Sequence, residues 1–431
     1  MLDLSLIRNR TEEVRQGLAR RQAEAPLNRI LELDAQRRSL LSEAEALRAR
    51  RNIVSKEIAS IPEASSRQAK IAEMRSVGDR IGQIEGQVRE TEEELNRLLA
   101  NLPNLPDPRT PVGPDEGSNV VLRHGGEPRQ LDFPAKPHWD LGPQLGILNF
   151  EQGARMTGSR FYVLHGAGAR LQRALIAWML ELHSQQGYHE AYPPFLVRSQ
   201  ALFGAGQLPK FADNLYHDAE EDLWLVPTAE VPLTNLHADE ILEADALPLW
   251  YVSYTPCFRR EKMAAGRDVR GIKRGHQFDK VEMYKFCTPQ TSEGELERML
   301  ADAEETCRLL GLAYRIKVLC TGDLGFSAQR TYDVEVWAPG CQEWLEVSSV
   351  SNCGDFQARR ANVRYRPARG ARPEFVHTLN GSGLGLPRTL IAVLENGQTS
   401  QGTVRVPPVL KPWMGGIEEI GPAHGAPPSS P

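Results

Sequence analysis

Several short segments set fixed cations beside carboxylates at spacings that suit a phosphate-bearing substrate. In Thr255-Pro256-Cys257-Phe258-Arg259-Arg260-Glu261-Lys262, Arg259 and Glu261 share a face if the chain stays extended through Glu261. A guanidinium fork on that face suits a phosphate, and a carboxylate beside it accepts from an exocyclic amine. From Arg259 to Arg274 the chain carries seven basic residues against Glu261 and Asp268, a density of charge suited to polyanions. A solvated hairpin with an Arg–Glu cross-pair fits the same spacing. Phe278, Lys280, Glu282, Tyr284 and Phe286 have one parity, so Phe278 can stack on a flat ring while Glu282 binds an ammonium group; the polar side of a half-exposed strand is the plainer reading. In Gly381-Ser382-Gly383-Leu384-Gly385-Leu386-Pro387-Arg388 the glycines permit close approach of a ligand, and Pro387 stands where a first-turn proline is tolerated. Arg388 in that first turn opposes the helix dipole and points to an anionic ligand. The spacing is neither G-x-G-x-x-G nor a P-loop.

Two further segments are weaker. Thr228-Ala229-Glu230 follows a strand-like run; Thr228 reads as an N-cap and Glu230 as a first-turn acid as readily as either reads as a binding group. Trp344-Leu345-Glu346-Val347-Ser348-Ser349 offers an acid and hydroxyls of the kind that ligate Mg²⁺. Strict alternation puts Glu346 and Ser349 on opposite faces, so a joint role requires a bulge or a strand end. A second basic cluster, Arg359, Arg360, Arg364, Arg366, Arg369 and Arg372, contains no acid between Asp355 and Glu374.

Positioning these groups requires a sheet. Aromatic and β-branched content with period-two alternation predicts strands over 250–259, 278–286, 332–337 and 343–349. An amphipathic helix over 171–183 is closed by Gly187, and the prolines of 190–194 confine an extended segment to a sheet edge or strand end. Without a repeated strand, crossover helix, strand rhythm, the expected core is an antiparallel sheet flanked by helices, an α+β fold. Ahead of it, 27–102 is rich in Arg, Glu, Ala, Gln and Leu and lacks aromatics. Val77, Ile81, Ile84, Val88, Thr91, Leu95, Leu98 and Leu102 form a heptad seam; Leu33, Leu40, Ala44, Leu47, Val54, Ile58 and Ile61 form a weaker one interrupted by Arg37 and Arg51. Pro62 and the serines after it divide the stretch into an antiparallel helical hairpin, with the serines as capping candidates. At over 30 residues per helix the hairpin spans roughly 50 Å, and a coiled coil that only dimerises explains the stripe equally well. The expected domains are a helical arm at 1–102, a Pro-rich linker at 103–118, a catalytic domain at 119–420 and a disordered Gly/Pro/Ser-rich tail at 421–431.

The chain has 431 residues, with 51 Lys and Arg against 56 Asp and Glu, a formal charge of -5. That balance excludes a protein that coats nucleic acid nonspecifically and conceals where the positive charge lies: 259–274, 359–372, and Arg48, Arg50, Arg51 and Lys56 near the hairpin's tip. No apolar run approaches the roughly 20 residues that cross a bilayer, and the first residues lack the order of a signal peptide, so the expectation is a soluble cytosolic enzyme with no membrane partner. The six cysteines lie between Cys257 and Cys353 without a C-x-x-C pair, which suggests reduced, mostly buried thiols.

Taken together and in this order, the helical arm, Thr228-Ala229-Glu230, Phe258-Arg259-x-Glu261, the 271–286 segment, Gln357-Ala358-Arg359-Arg360-Ala361-Asn362 and His377-Thr378-Leu379-Asn380-Gly381-Ser382-Gly383-Leu384 through Arg388 closely resemble the bacterial type of seryl-tRNA synthetase, a class II aminoacyl-tRNA synthetase. The resemblance covers almost the whole chain. It implies a class II antiparallel sheet, ATP and L-serine as substrates, seryl-adenylate as intermediate, and transfer of serine to the 3' end of tRNA(Ser), with tRNA(Sec) left open as a second acceptor. By resemblance Arg259 holds the α-phosphate, Glu261 the adenine amine, Phe278 stacks on adenine, and Arg388 meets the γ-phosphate. Arg260, Gly275, Val347 and Ser348 complete the ATP site, and Glu346 and Ser349 hold Mg²⁺. Serine falls to Thr228, Ala229, Glu230, Glu282 and Ser382. The arm would reach the long variable arm of the tRNA across a homodimer whose interface includes 171–194. Gly275 departs from the family, since a larger residue is expected before His276-Gln277-Phe278. Two rivals remain: a paralogue loading serine or another small amino acid onto a different carrier, and a non-catalytic coiled-coil interaction protein, which should have lost Arg259, Glu282 or Arg388.

Overall fold

A computed structural model describes residues 1–262 and 270–422. The residues fall into two compact units: Leu2–Ala19 with Ala23–Pro103, and Met1, Arg20–Gln22 and the chain from Asn104 onward. The disorder expected over 421–431 falls largely on residues outside the described ones.

The first unit is helical. Helix α1, Leu4–Asn9, is capped by Asp3, whose carboxylate accepts from the Ser5 N–H, and α2, Thr11–Arg20, starts with Glu12 and Glu13 and ends with Arg20, charges that match its dipole. Helices α3, Leu27–Ile58, and α4, Ala64–Ala100, form the antiparallel pair. The seam buries Leu33, Ala44 and Val54 of α3 and Met74, Val77, Ile81, Ile84, Thr91 and Leu95 of α4. Arg37, which breaks the apolar stripe, reaches Glu92 of the other helix at 2.6 Å. Two of the cations expected near the tip are also taken up: Arg48 pairs with Glu85 at 2.6 Å and Arg50 with Glu73 at 2.5 Å. At the restart the N-cap is Glu63 rather than a serine; Ser65 and Ser66 donate back to its carboxylate at 2.6 and 2.8 Å. The seam also ends differently, with Leu99 buried in place of Leu98.

Among the described residues the second unit contains an eight-stranded sheet: β1 (Val120–Gly125), β2 (His189–Glu190), β3 (Leu249–Phe258), β4 (Gln277–Cys287), β5 (Tyr314–Val318), β6 (Arg330–Ala338), β7 (Glu343–Gly354) and β8 (His377–Gly385). Their spatial order is β1-β5-β6-β7-β8-β4-β3-β2. Each neighbouring pair is antiparallel except β2 and β3, which run parallel at the edge. Val281 and Met283 of β4, Val334 and Val336 of β6 and Val350 of β7 join one core with Leu171, Leu175 and Met179 of α5 (Gly166–Gln185), Leu296, Met299 and Leu300 of α6 (Ser292–Leu309) and Leu390, Ile391 and Leu394 of α7 (Leu386–Gly397). The alternate residues of the same strands are thereby free to build a site on the other face.

The Pro-rich segment differs from a free linker. From Asn104 on it belongs to the second unit, with the Asn104 N–H donating to the Phe326 carbonyl at 2.9 Å and that of Asp107 to the Gln329 carbonyl at 2.8 Å. The second basic cluster is also partly structural. Arg360 is buried, with its guanidinium over the rings of Phe203, Phe326 and Phe356, and Arg359 reaches Asp355 at 2.7 Å. These two side chains are not open phosphate contacts.

Candidate active site

The polar face of β4, β7 and β8 opens into a cleft of about 460 Å³ lined by Glu230, Arg259, Glu261, Gly275, Phe278, Glu282, Glu346, Val347, Ser349, Ser382 and Arg388, and also by Lys280, Ser351 and Asn380. Strand β3 stops at Phe258, short of Glu261. Glu261 instead adopts φ +49°, and this turn, rather than strand alternation, brings it to the cleft, where its carboxylate lies 3.7 Å from Arg274. Arg259 sits 5.0 Å above the Phe278 ring and donates from Nε to the Pro227 carbonyl at 3.1 Å, so its fork is anchored at one edge. Arg388 donates to the Glu346 carbonyl at 2.9 Å and lies 3.3 Å from its carboxylate. At Gly275 a Cβ would stand 3.0 Å from the Gln277 carbonyl and 3.4 Å from that of Arg160; the space a larger residue would use is taken by backbone.

Strand β7 resolves the parity conflict. Glu346 pairs with Glu335, Ser348 with Val334 and Ser349 with Asp333 across to β6, so Val347 is one residue too many for its partner strand. This bulge reverses the alternation and puts Glu346, Ser349 and Ser351 on the cleft side. Asp333, cross-strand from Ser349, is buried with Oδ1 lacking any hydrogen-bond partner. Burial, and next the neighbouring Glu346, hold its carboxyl well above the usual carboxylate range. Hard oxygen donors crowded in this way, one of them unsatisfied, fit a hard divalent cation such as Mg²⁺.

A second acidic centre lies on the other side of Lys280. Glu282 is buried and ion-paired to Lys280. Glu230 accepts from Gln357 Nε2 at 2.5 Å and from Asn380 Nδ2 at 2.8 Å. Burial first, then the charge of Glu282, raise the Glu230 carboxyl to about 7, with Lys280, Gln357 and Arg259 pulling in the opposite direction. Two carboxylates held close in a buried pocket attract an ammonium group strongly.

Four expected residues do not bring their side chains into the cleft. Thr228 is buried behind Glu230, accepting from its N–H at 3.2 Å, and the helix Glu230–Thr234 is preceded by Ala229, not Thr228, as its N-cap. Ala229 packs in an apolar cluster with Leu233, Tyr284 and Phe286. Arg260 turns to the Tyr216 ring, 5.5 Å away. Ser348, on the far side of the bulge, donates to the Ser382 carbonyl at 2.6 Å. Lys280, Asn380 and Asp333 were missed as site groups; Lys280 was already on the right parity, and Asn380 stood two residues from Ser382.

A separate buried cluster joins His138, Cys341 and Glu395. Its polar atoms are spent on one another and on backbone: His138 Nδ1 meets Glu395 at 2.9 Å, Nε2 accepts from the Ile272 N–H at 3.1 Å, and the second Glu395 oxygen accepts from Gly340 and Cys341 at 2.8 and 2.9 Å. The cluster therefore ties the 270–276 segment to α7 and to the β6–β7 turn, outside the cleft. The described cysteines are free thiols, five of them buried.

Residues 211–397, which contain every group lining the cleft, match the tRNA synthetase class II core domain (G, H, P, S and T): fold and site together define a class II aminoacyl-tRNA synthetase. Residues 1–106 match the seryl-tRNA synthetase N-terminal domain, and the chain is 64% identical over 421 residues to the serine–tRNA ligase of Roseiflexus sp. (strain RS-1), covering 97% of this chain and 99% of that one. The chain belongs to the seryl-tRNA synthetase family. Among solved structures it resembles the seryl-tRNA synthetase of Pyrococcus horikoshii complexed with ATP, at TM-score 0.92 and 38% identity over 98% of this chain and 100% of that one. It also resembles the cytoplasmic serine–tRNA ligase of Naegleria fowleri in complex with AMP, at TM-score 0.87 and 31% identity over 98% and 99%.

Proposed function

We propose that this chain condenses L-serine with ATP to seryl-adenylate and pyrophosphate in the described cleft, then transfers serine to the 3' end of tRNA(Ser). The observation that carries the reading is the adjacency of two sub-sites: the anchored Arg259 over Phe278 with Arg388 beyond, and the Glu230–Glu282 pair with Asn380 and Ser382. Phe278 stacks on adenine and Glu261 accepts from its amine. Glu230 takes the ammonium of serine, while Glu282 and Ser382 face its hydroxyl. Alanine would leave those groups unpaired, a penalty able to reject it by ~10⁴. As the serine carboxylate attacks the α-phosphorus, charge builds on the phosphate oxygens, and Arg259 stabilises it without moving a proton. Arg388 holds the γ-phosphate of the departing pyrophosphate. Glu346 and Ser349 would hold Mg²⁺, which supplies further charge neutralisation on the phosphates.

The helical hairpin is the natural reader of the long variable arm of tRNA(Ser), since its match is to the family's own N-terminal domain and a paralogue loading another carrier would be expected to lack it. Of the cations expected near its tip, Arg51 and Lys56 are exposed and in no ion pair among the described residues. The retained Arg259, Glu282 and Arg388 count against a non-catalytic role. A homodimer working in the cytoplasm, where tRNA is charged, completes the reading; no described helix is long and apolar enough to cross a membrane. Serine-dependent ATP/pyrophosphate exchange, followed by charging of purified tRNA, tests it. Exchange with serine and not alanine is expected, and no exchange with any amino acid would overturn it.

A further inference from the structure

The acid group at the β6–β7 edge of the cleft holds one atom that the protein leaves unserved. Glu335 is taken by Arg315 and Lys317, the latter at 3.0 Å. Asp323 accepts from Asn119 Nδ2 at 2.7 Å, and Glu346 lies against Arg388. Asp333 sits near enough to all three acids to feel their charge, is 8% exposed, and has an Oδ1 with no partner. Burying a carboxyl oxygen unbonded beside like charges costs stability. Nothing in the packing of β6 requires an acid there, since its alternate residues Val334 and Val336 supply the core contacts. A group bound in the cleft is the remaining reason for it.

We propose that Asp333 is a positioning residue of the divalent-cation site. Its register places it directly across from Ser349, on the face the Val347 bulge gives to Glu346 and Ser349. One carboxylate oxygen accepts a hydrogen bond from the Ser349 hydroxyl, which leaves the lone pairs of the serine oxygen turned toward the cation. Oδ1 accepts from a water in the cation's shell. Supporting partners of this kind orient metal ligands, and their loss lowers metal affinity about 10- to 100-fold.

The inference rests on the reading of Glu346 and Ser349 as cation ligands, and the test separates the two. Binding of Mn²⁺ to the full-length protein with α,β-methylene-ATP is followed by the electron paramagnetic resonance of free Mn²⁺, for wild type, Glu346→Gln and Asp333→Asn. Thermal unfolding of each is recorded in EDTA. Support consists of a 10- to 100-fold weaker Mn²⁺ affinity in D333N together with a metal-free Tm equal to or above wild type, because the amide removes a crowded buried acid. Mn²⁺ affinity within twofold of wild type in D333N, while E346Q loses the ion, overturns the role of Asp333 alone. A lower metal-free Tm in D333N makes the residue structural and also overturns it. Failure of the wild-type protein to bind Mn²⁺ beyond the free nucleotide removes the cation reading itself, and Asp333 with it.

Discussion

Arg388 lies against Glu346, its Nη1 2.9 Å from the Glu346 carbonyl oxygen and 3.3 Å from the carboxylate. A guanidinium in the first turn of a helix, where the dipole disfavours it, is thus held ready by the same residue proposed to hold the cation. Replacing Arg388 by Ala should lower kcat/KM for ATP by about 10²- to 10³-fold, the usual loss when a fixed charge on a reacting phosphate is removed. The KM for serine should move less than about threefold, since Arg388 stands apart from Glu230. Steady-state pyrophosphate exchange with each substrate varied in turn reads both.

The Glu230 carboxyl, raised to about 7 by burial and by Glu282, makes serine use pH-dependent. Protonated Glu230 cannot neutralise an ammonium, so kcat/KM for serine should climb as pH rises toward 7 and level off above it, while the KM for ATP stays flat. The stability effect has the opposite sign. Between the unfolded value of about 4.3 and about 7 the folded state binds the extra proton, so stability falls as pH rises through that window. Glu230→Gln should abolish the activity slope and raise the Tm relative to wild type at pH 8. A slope that survives in E230Q would assign the titration elsewhere.

Ser348 and Ser349 are adjacent and chemically identical, yet face opposite ways around Val347. Ser349→Ala should cut pyrophosphate exchange more than tenfold, whereas Ser348→Ala should cost about 1 kcal/mol of stability through its lost bond to the Ser382 carbonyl and spare most of the exchange. Equal losses in both would contradict the register.

Ile84 is fully buried in the hairpin seam. Ile84→Asp buries an unpaired charge there and should disrupt the hairpin, leaving serine-dependent exchange intact while charging of tRNA(Ser) collapses. Parallel loss of both activities would make the hairpin a structural support of the core.

His138 and Glu395 are both fully buried and face each other at 2.9 Å. His138→Ala removes one partner from a buried carboxylate that keeps the N–H groups of residues 138, 340 and 341, and a loss of about 1 to 3 kcal/mol is expected, measured by denaturant unfolding. His138→Gln, which can still donate, should recover part of it.

The hairpin was legible because a 3.5-residue repeat survives over many turns; even Arg37, which spoiled the stripe, answered to Glu92. The early helices α1 and α2 passed unread, although Ile7, Val14 and Leu18 are all buried, because runs so short carry too little periodicity. In the sheet, β3, β4, β6 and β7 followed from composition and alternation, whereas β1, β5 and the Gly- and Ser-containing β8 went unread; the parity of β4 placed Lys280 and Glu282 on the cleft side. Charge was harder to read. Arg360 and Arg359 looked like their neighbours in a basic cluster; Asp355, which takes Arg359, stands only four residues before it, whereas the Phe203 and Phe326 rings over Arg360 come from distant segments. Asp333 was illegible for the same reason: Tyr-Asp-Val-Glu-Val-Trp alternates whether or not an acid faces a cleft, and only pairing with Ser349 shows what it serves.

Val347 gives β7 two phases. Up to Glu346 the even-numbered residue faces the cleft; from Ser349 the odd-numbered ones do. Saturation mutagenesis along 343–352 should therefore show a tolerance pattern that skips a beat at 347. Deleting Val347 would leave Glu346 and Ser349 two residues apart and still on the cleft face by plain alternation, so that loss should be tolerated, whereas a one-residue deletion at Val350, where β7 has no extra residue to give up, should send the side chains beyond it to the wrong face.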